Sequence, residues 1–249
     1  MMTRILTRGY LWLLLALLYS PILIIMIFSF TEAKVLGNWT GFSTKLYSSL
    51  FTGGMHHSLI NAIWNTFAIA LLAATASTAL GSIAAIGIFN LRSRTRQVMN
   101  FANAIPMMNA EIVMGVSLML LFIAFHVTLG FGTILIAHIT FNIPYVILSV
   151  APKLRQTSRR TYEAALDLGA SPLYAFFKVT FPDILPGVLS GFMLAFTMSL
   201  DDFIITHFTK GPGVDTLSTK IYTEVKKGIK PEMYALSTII FVAVLLLLL

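Results

Sequence analysis

Long apolar runs recur along the chain and alternate with short polar segments. The runs lie near residues 10–30, 61–89, 101–126, 132–150, 186–207 and 232–249. Each run reaches or approaches the roughly 20 residues that an α-helix needs to cross about 30 Å of hydrocarbon. A backbone in lipid must satisfy its own hydrogen bonds, so runs of this length predict helices rather than barrel strands. The pattern therefore predicts an all-α membrane protein with about six transmembrane helices.

The composition agrees with a membrane protein and excludes several other classes. Of the 249 residues, 57% are hydrophobic and only 11% are charged, which is too little polar surface for a soluble domain of this size. The chain has no cysteine, which excludes disulfides, thiolate metal sites and cysteine nucleophiles. Its formal net charge of +7 resides in loops rather than in a basic groove with aromatic residues, so we expect no nucleic-acid partner.

The distribution of Lys and Arg predicts the orientation of the helices. With the N-terminus in the cytoplasm, the inside segments 1–9, 90–100 and 151–185 hold ten basic residues, against seven in the outside segments. Cytoplasmic loops carry an excess of Lys and Arg, so this bias favours a cytoplasmic N-terminus. The first run follows Arg4 and Arg8 but is longer than the apolar core of a signal peptide, so we expect it to be a membrane anchor.

The chain shows no internal repeat and no second domain, so residues 1–249 are predicted to form one transmembrane domain. Its longest cytoplasmic segment is 151–185, where Gly169 and Pro172 predict a helix, a turn and a second short helix that Ser171 caps. One interpretation is an amphipathic segment on the bilayer surface. The other is a docking element that presents Glu163 and small residues to a groove in a cytoplasmic partner.

The same segment resembles the EAA loop of ABC importer permeases. Glu163-Ala164-Ala165 is followed after three residues by Gly169, and nine residues later by Val179-Thr180-Phe181-Pro182, where the family has Ile-x-Leu-Pro. The stretches YSPILIIMIFSF, EAALDLGAS, LAFTMSLDDFIITHFTKGPG, KIY and PEMYALST extend the resemblance over nearly the whole chain. Together they resemble the permeases of spermidine/putrescine importers, specifically the second of the two paired membrane subunits.

This resemblance implies a multi-subunit importer in a bacterial cytoplasmic membrane. Its expected partners are a homologous permease that forms a heterodimer with this chain, two cytoplasmic ATPase subunits and an extracytoplasmic polyamine-binding protein, besides membrane lipid. ATP and Mg²⁺ would bind in the ATPase subunits, and no cofactor is expected in this chain. Residues Glu163, Ala164, Ala165 and Gly169 would couple the permease to the ATPases. Tyr222 is a candidate pathway residue because KIY follows the fifth helix in this family.

Carboxylates inside the apolar runs are the candidate cargo contacts. Asp201 and Asp202 lie in the fifth run and Glu111 lies in the third. An ionised side chain near the bilayer centre costs about 2.5–3.5 kcal/mol, so these groups should face a water-filled path, another subunit or a cationic ligand. Counting about 1.5 Å per helical residue places Glu111 and Asp201 at similar depth, about 20 Å from the cytoplasmic side.

The two adjacent aspartates are expected to have different roles. Neighbouring helix residues point about 100° apart, so one aspartate is predicted to face the pathway while the other fixes the helix or the partner permease. The alternative is a structural pair held by polar neighbours such as Thr197, Ser199 and Thr206. The aromatic rings of Phe203, Tyr145 and Tyr222 are candidates for cation–π contacts with a polyamine.

Other functions remain as alternatives. The same importer class could carry a metal, an amino acid or an anion, although anionic cargo fits poorly with three intramembrane carboxylates and no intramembrane Arg. An ion-coupled carrier would use the acids as relay groups, but it often shows internal repeats that this chain lacks. Catalysis is not expected, since GPGVDTLSTK lacks the ending of a phosphate loop and the five histidines show no metal-ligand spacing.

Overall fold

The computed structural model describes residues 2–32, 37–52, 56–227 and 231–248. Within these ranges the chain is helical apart from short connections and one isolated bridge between Thr31 and Phe42. The prediction of an all-α protein is confirmed. Two of the basic residues predicted on the outside, Lys34 and Lys230, lie outside the described residues.

The helices have the following bounds in chain order. They are α1 (Met2–Phe28), α2 (Lys45–Thr52), α3 (His56–Asn90), α4 (Ser93–Met108), α5 (Glu111–Ala124), α6 (Phe131–Gln156), α7 (Arg159–Asp167), α8 (Pro172–Ala175), a π-helical turn (Phe176–Thr180), α9 (Phe181–Asp201), α10 (Ile204–Thr209), α11 (Leu217–Lys227) and α12 (Glu232–Leu248).

Four described helices are long and apolar enough to cross a membrane, which is fewer than the six predicted. They cover Gly9–Phe28, Ser58–Asn90, Phe131–Gln156 and Pro172–Asp201. The helices α4 and α5 make a fifth span if the bent pair counts as one. The sixth run forms α12, whose apolar part among the described residues, Glu232–Val242, is shorter than a full span. The chain is therefore a multi-pass membrane protein, and the residues that the structure describes supply four or five of the six predicted spans.

The third apolar run is not the single helix that the sequence predicts. The axes of α4 and α5 meet at 99°, with Asn109 and Ala110 between them. Both connecting residues have extended backbone angles, with ψ values of 147° and 138°. Asn favours such local breaks because its amide competes with the helix for backbone hydrogen bonds. The break leaves Glu111 as the first residue of α5.

The chain divides into two compact units, residues 1–60 with 220–249 and residues 61–219. In the first unit α12 packs against α1 and α2. The rings of Phe28 and Tyr234 lie 6.0 Å apart, and the Tyr47 hydroxyl is 2.7 Å from the hydroxyl of Ser29. These contacts join the end of α1 to both neighbouring helices of its unit.

The core of the second unit is the close packing of α6 on α9. Gly187 and Gly191 lie four residues apart on the face of α9 that contacts α6. A Cβ atom at Gly187 would lie 2.8 Å from Cγ of Lys153 and 3.1 Å from the Ser149 carbonyl oxygen. Small residues at this spacing let two membrane helices approach closely, where van der Waals packing stabilises their contact. This contact holds the ends of α6 and α9 in fixed positions.

The segment 151–185, which the sequence predicts to be cytoplasmic, has the predicted helix–turn–helix arrangement. The first helix is α7, Gly169 has a left-handed φ of +87° directly after it, and α8 begins at Pro172. The hydroxyl of Ser171 accepts a hydrogen bond from the backbone N–H of Tyr174, at 3.4 Å, so the predicted cap is confirmed. The segment is shorter than predicted, because α6 continues to Gln156 and α9 begins at Phe181.

Candidate functional site

Three carboxylates from two distant parts of the sequence line one pocket of about 420 Å³ in the second unit. Glu111 is the first residue of α5, Asp201 is the last residue of α9, and Asp202 directly follows it. The other lining residues are Phe141, Met198, Phe203 and Ile204. The pocket thus combines acidic groups with apolar walls, and no Lys or Arg is among its lining residues. The side chains of Glu111 and Asp201 belong to exposed residues.

Asp202 occupies the break between α9 and α10 and holds it. Its side chain is only 5% exposed. One carboxylate oxygen accepts a hydrogen bond from the backbone N–H of Ile205 at 3.2 Å, and the other accepts from the N–H of Thr206 at 2.8 Å. The Thr206 hydroxyl donates to that second oxygen, also at 2.8 Å. The first amides of a helix have no intrahelical partner, so this carboxylate stabilises the start of α10.

His138 of α6 completes the polar network around Asp202. Its Nε2 lies 2.9 Å from the Thr206 hydroxyl and 3.3 Å from the Asp202 carboxylate, while its Nδ1 lies 2.5 Å from the Ser199 hydroxyl. The imidazole is 1% exposed and Thr206 is fully buried. Buried polar groups at this depth need partners, and the network supplies them from α6, α9 and α10 together.

The two adjacent aspartates have different environments. Asp201 is exposed at the pocket, whereas Asp202 is buried and hydrogen-bonded to α10. The structural alternative names Thr197, Ser199 and Thr206 as the polar neighbours that hold the pair. Thr206 contacts Asp202 directly, and Ser199 is connected to it through His138. The Thr197 hydroxyl instead donates to the carbonyl oxygen of Met193 on its own helix. The geometry therefore matches the predicted division of the pair, and the function of Asp201 stays a prediction.

The helix ends add to the electrostatics of the pocket. The carboxyl end of α9 carries a partial negative charge from its last carbonyl groups, and Asp201 stands at that end. The amino end of α10 carries the opposite partial charge, which the Asp202 carboxylate offsets. Glu111 likewise lies in the first turn of α5 and offsets that helix end. Asp201 and Glu111 are thus the two exposed acidic groups of the pocket.

The predicted aromatic residues are distributed unevenly. Phe203 lines the pocket, and Tyr145 contacts the pocket residue Phe141, with ring centroids 5.3 Å apart. Tyr222 belongs to the other unit. The ammonium of Lys226 lies 4.7 Å from the centroid of the Tyr222 ring, which is a cation–π contact.

The four predicted coupling residues lie together on α7 and the turn that follows it. Glu163 and Ala164 are exposed on α7, Ala165 is half-buried, and Gly169 forms the turn after the helix. Two leucines beside them are strongly exposed, with Leu168 at 89% and Leu173 at 73%. An exposed cluster of large apolar side chains next to small residues is typical of a protein–protein contact surface.

Comparison with protein families identifies the chain. Residues 77–249, more than half of the chain, match the model of the binding-protein-dependent transport system inner membrane component. The chain belongs to this family. Members of the family are membrane-spanning components of importers, and the chain is accordingly a translocation subunit rather than an enzyme. The resemblance to ABC importer permeases found in the sequence is confirmed.

Curated relatives of this transport family cover almost the whole chain. The spermidine/putrescine transport system permease protein PotC of Escherichia coli K12 is 38% identical over 242 residues, 97% of this chain and 90% of that protein. The putrescine transport system permease protein PotI of the same strain is 39% identical over 234 residues, 91% of this chain and 82% of that protein. The PotC homolog of Mycoplasma pneumoniae is 32% identical, covering 94% and 85%.

A solved importer has the same fold as this transport component. One chain of the crystal structure of a bacterial ABC transporter involved in importing the acidic polysaccharide alginate superposes with a TM-score of 0.76. The superposition covers 99% of this chain and 91% of the other chain at 16% sequence identity. At such low identity the likeness concerns the fold alone.

Sequence reasoning missed one important residue of this inner membrane component. The apolar run of the two aspartates, 186–207, holds one histidine, His207, and gives no indication of His138 in the fourth run. His138 precedes Ser199 by 61 residues and Thr206 by 68, so no local spacing connects them. The available signal was a histidine inside the fourth apolar run, since ionisable residues there need a partner. Among the described residues, no three His, Asp or Glu side chains are arranged to hold a metal ion.

Proposed function

We propose that the chain is a translocation subunit of an ATP-driven importer whose cargo is a polyamine. The observation that carries the proposal is the pocket in which Glu111 and Asp201 are both exposed between apolar walls. A polyamine has an ammonium at each end of an extended aliphatic chain. Two separated carboxylates with apolar and aromatic surface between them complement that shape. Relatives named as spermidine/putrescine and putrescine permeases, at 38% and 39% identity, support the same cargo.

The electrostatics of the pocket favour a cation over other cargo of this importer class. Its lining holds three acidic residues and no Lys or Arg, so an anion would enter without a compensating charge. Asp202 is already bonded to backbone amides, Thr206 and His138, which leaves Glu111 and Asp201 for the two ammonium groups. Phe203 and Phe141 lie beside these carboxylates, where aromatic faces attract cations.

The contribution of each exposed carboxylate sets the size of the expected effect. Two unit charges 4 Å apart attract by about 4 kcal/mol at an effective dielectric constant of 20, and by about 1 kcal/mol in water. For a carboxylate that is open to a pocket we expect about 1–2 kcal/mol, which corresponds to a roughly 5- to 30-fold change in affinity. Asp201→Asn and Glu111→Gln should each weaken polyamine binding by this factor.

The test uses the chain co-purified with its membrane partners in nanodiscs. Binding of radiolabelled spermidine is measured for the wild type, Asp201→Asn, Glu111→Gln and the control Asp183→Asn, an exposed acid at the start of α9. Uptake of spermidine, putrescine and sulfate is measured in parallel, with and without ATP. Unchanged spermidine affinity in both pocket variants would contradict the proposed site. Sulfate-specific uptake would indicate another cargo, and uptake without ATP would indicate an ion-coupled carrier.

The proposed assembly follows from the family and from the exposed cytoplasmic segment. A second homologous permease pairs with this chain, two ATPase subunits bind ATP and Mg²⁺, and an extracytoplasmic protein delivers the polyamine. The surface formed by Glu163, Ala164, Ala165 and Gly169 contacts an ATPase subunit. When ATP draws the ATPases together, α7 follows, and the paired permeases rock as rigid bodies that open the pocket to alternate sides. Tyr222 is a further proposed pathway contact.

Charge reversal on α7 tests the coupling surface. Glu163→Arg should lower ATP-dependent uptake strongly, because it places a like charge and a longer side chain at the ATPase contact. Thr161→Arg is the control, since it is exposed on the same helix and points about 200° away from Glu163. Co-purification of the ATPase is the second readout. Equal uptake and equal ATPase recovery in both variants would refute the coupling role.

The proposed orientation places the N-terminus in the cytoplasm of a bacterial cell, with the chain in the inner membrane. Because the chain has no cysteine, single substitutions report sidedness without a background signal. A cysteine introduced at exposed Asn38 should react with an impermeant maleimide in intact cells, and one at exposed Arg94 should react only after lysis. The reverse pattern would invert the topology.

A further inference from the structure

We infer that His138 is a positioning residue for the polyamine pocket, holding the break between α9 and α10 so that Asp201 stands at an open helix end beside the pocket. The inference deepens the proposed function and rests on it. His138 belongs to α6, which packs against both α9 and α10. The histidine itself does not line the pocket, so its effect on cargo would pass through Asp202 and the backbone of the break.

The contacts of His138 join the two helices on either side of the break. Its Nδ1 meets the hydroxyl of Ser199 on α9, at 2.5 Å, and its Nε2 meets the hydroxyl of Thr206 on α10, at 2.9 Å. The same Nε2 is 3.3 Å from the Asp202 carboxylate, which lies between those helices. One imidazole ring therefore fixes the position of α10 relative to the carboxyl end of α9, where Asp201 stands.

The hydrogen-bond inventory assigns a direction to this network. The hydroxyl of Thr206 has one hydrogen, and it donates that hydrogen to Asp202. The oxygen of Thr206 must then accept from Nε2 of His138, so Nε2 carries a hydrogen. The side of the ring that faces Asp202 is thus a donor, whereas the Nδ1 side contacts only Ser199.

The N–H group at Nε2 of His138 has two consequences for the pocket. It stabilises the Asp202 carboxylate in its bonded position, so Asp202 keeps α10 capped instead of turning towards a cationic cargo. It also keeps Asp202 in the extended conformation, with φ −58° and ψ 129°, that ends α9 at Asp201. A continuous helix through 201–206 would leave the direction of Asp201 unchanged, but it would place residues 203–206 along the axis of α9 beyond it, so Asp201 would no longer stand at a helix end.

The two amide analogues of histidine separate these consequences. Glutamine places its amide N–H₂ near the position of Nε2, and asparagine places it near Nδ1. His138→Gln therefore keeps the donor towards Asp202 and Thr206, while His138→Asn keeps only the contact with Ser199. His138→Leu removes both. The control is His126→Asn, which changes an exposed histidine at a φ of 54°, a left-handed conformation that Asn tolerates.

The experiment measures the Kd of radiolabelled spermidine on the chain co-purified with its membrane partners in nanodiscs. Only the assembled fraction from size exclusion is used, so poor folding lowers the yield without altering the measured affinity. We expect a roughly tenfold higher Kd for His138→Leu and His138→Asn, as for the loss of a hydrogen bond to a charged group. His138→Gln should stay within about threefold of the wild type, and His126→Asn should be unchanged.

Comparison of these variants distinguishes the possible outcomes. If Asp201→Asn weakens spermidine binding but the Gln and Asn variants of His138 bind equally well, the positioning role is refuted while the pocket stands. If Asp201→Asn and Glu111→Gln both leave spermidine binding unchanged, the proposed site fails first. If His138→Leu does not assemble, Ser199→Ala takes its place. Its Kd should rise about threefold, since the ring then loses its anchor on α9. An unchanged Kd for Ser199→Ala would overturn the inference.

Discussion

Replacing Asp202 by alanine tests whether this carboxylate holds the break between α9 and α10. The substitution removes three hydrogen bonds, to the N–H groups of Ile205 and Thr206 and to the Thr206 hydroxyl, and it also removes the contact with His138. Each of these three donors then lacks its acceptor, and an unsatisfied buried donor costs about 1–3 kcal/mol. The orphaned amides lie beside a pocket that water can enter, so we expect the lower end for each donor, about 3 kcal/mol in total.

The expected signal is a lower midpoint of thermal unfolding, followed by circular dichroism in detergent. For a chain of this length, about 3 kcal/mol corresponds to roughly 6–12 °C. Asp202→Asn keeps one carbonyl oxygen as an acceptor, so it should lose about 1 kcal/mol, or roughly 2–4 °C.

Asp183→Asn provides the matched control for this experiment. It removes an acidic group from the opposite end of the same helix, where Asp183 is exposed. Surface substitutions of this kind usually change stability by less than about 0.5 kcal/mol. If Asp202→Ala lowers the midpoint no more than Asp183→Asn does, Asp202 does not hold the break, and the argument for Asp201 as the pathway residue loses its basis.

Three further predictions concern other contacts. Gly115→Leu should separate α5 from α10, because even a Cβ atom there would lie 3.1 Å from the Phe208 ring. We expect the free energy of unfolding to fall by about 1–3 kcal/mol, which is measured as a lower unfolding midpoint. Gly211→Ala should prevent the 210–217 connection from closing, since its Cβ would lie 2.5 Å from the carbonyl carbon of Leu129, and normal yield and stability would refute this. Burial acts to raise the pKa of Glu224, but hydrogen bonds and charges from Lys220 and Lys227 lower it overall from its ordinary 4.5. The ionised Glu224 side chain therefore stabilises the folded protein above its unfolded pKa. That stabilisation is lost as the pH falls below about 4.5 and through the lower pKa of the folded state. The unfolding midpoint should therefore fall more steeply with acid in the wild type than in Glu224→Gln.

The hydrophobic pattern predicted the class of the fold well and the straightness of its helices poorly. Length and apolar composition are sufficient to predict helices, since few other structures satisfy a backbone in lipid. Length and apolar composition do not reveal a break of two residues, such as Asn109 and Ala110, because most residues on both sides of the break are apolar. The turn at Gly169 was predictable, since glycine and the following Ser-Pro pair are strong local signals.

The candidate site was predictable in its charges but not in its connections. Carboxylates in apolar runs are conspicuous by their cost in lipid, so Glu111, Asp201 and Asp202 were found from the sequence alone. The geometric argument that adjacent helix residues diverge also anticipated different environments for the two aspartates. The burial of Asp202 could not be predicted in this way, because its contact with His138 arises from the packing of α6 against α9 and α10.

The two helix breaks and the pocket form one connected arrangement. Glu111 begins α5 after the first break, and Asp201 ends α9 at the second, so each exposed carboxylate stands at the end of a helix rather than in its middle. The helices α5 and α10 pack directly on each other at Gly115, where a Cβ atom would lie 3.4 Å from Cα of Ile205. A displacement of α10 is therefore transmitted to α5 through backbone contact. Under the proposed function, a movement that displaces α5 relative to α9 changes the separation of Glu111 and Asp201, and with it the affinity for a dication.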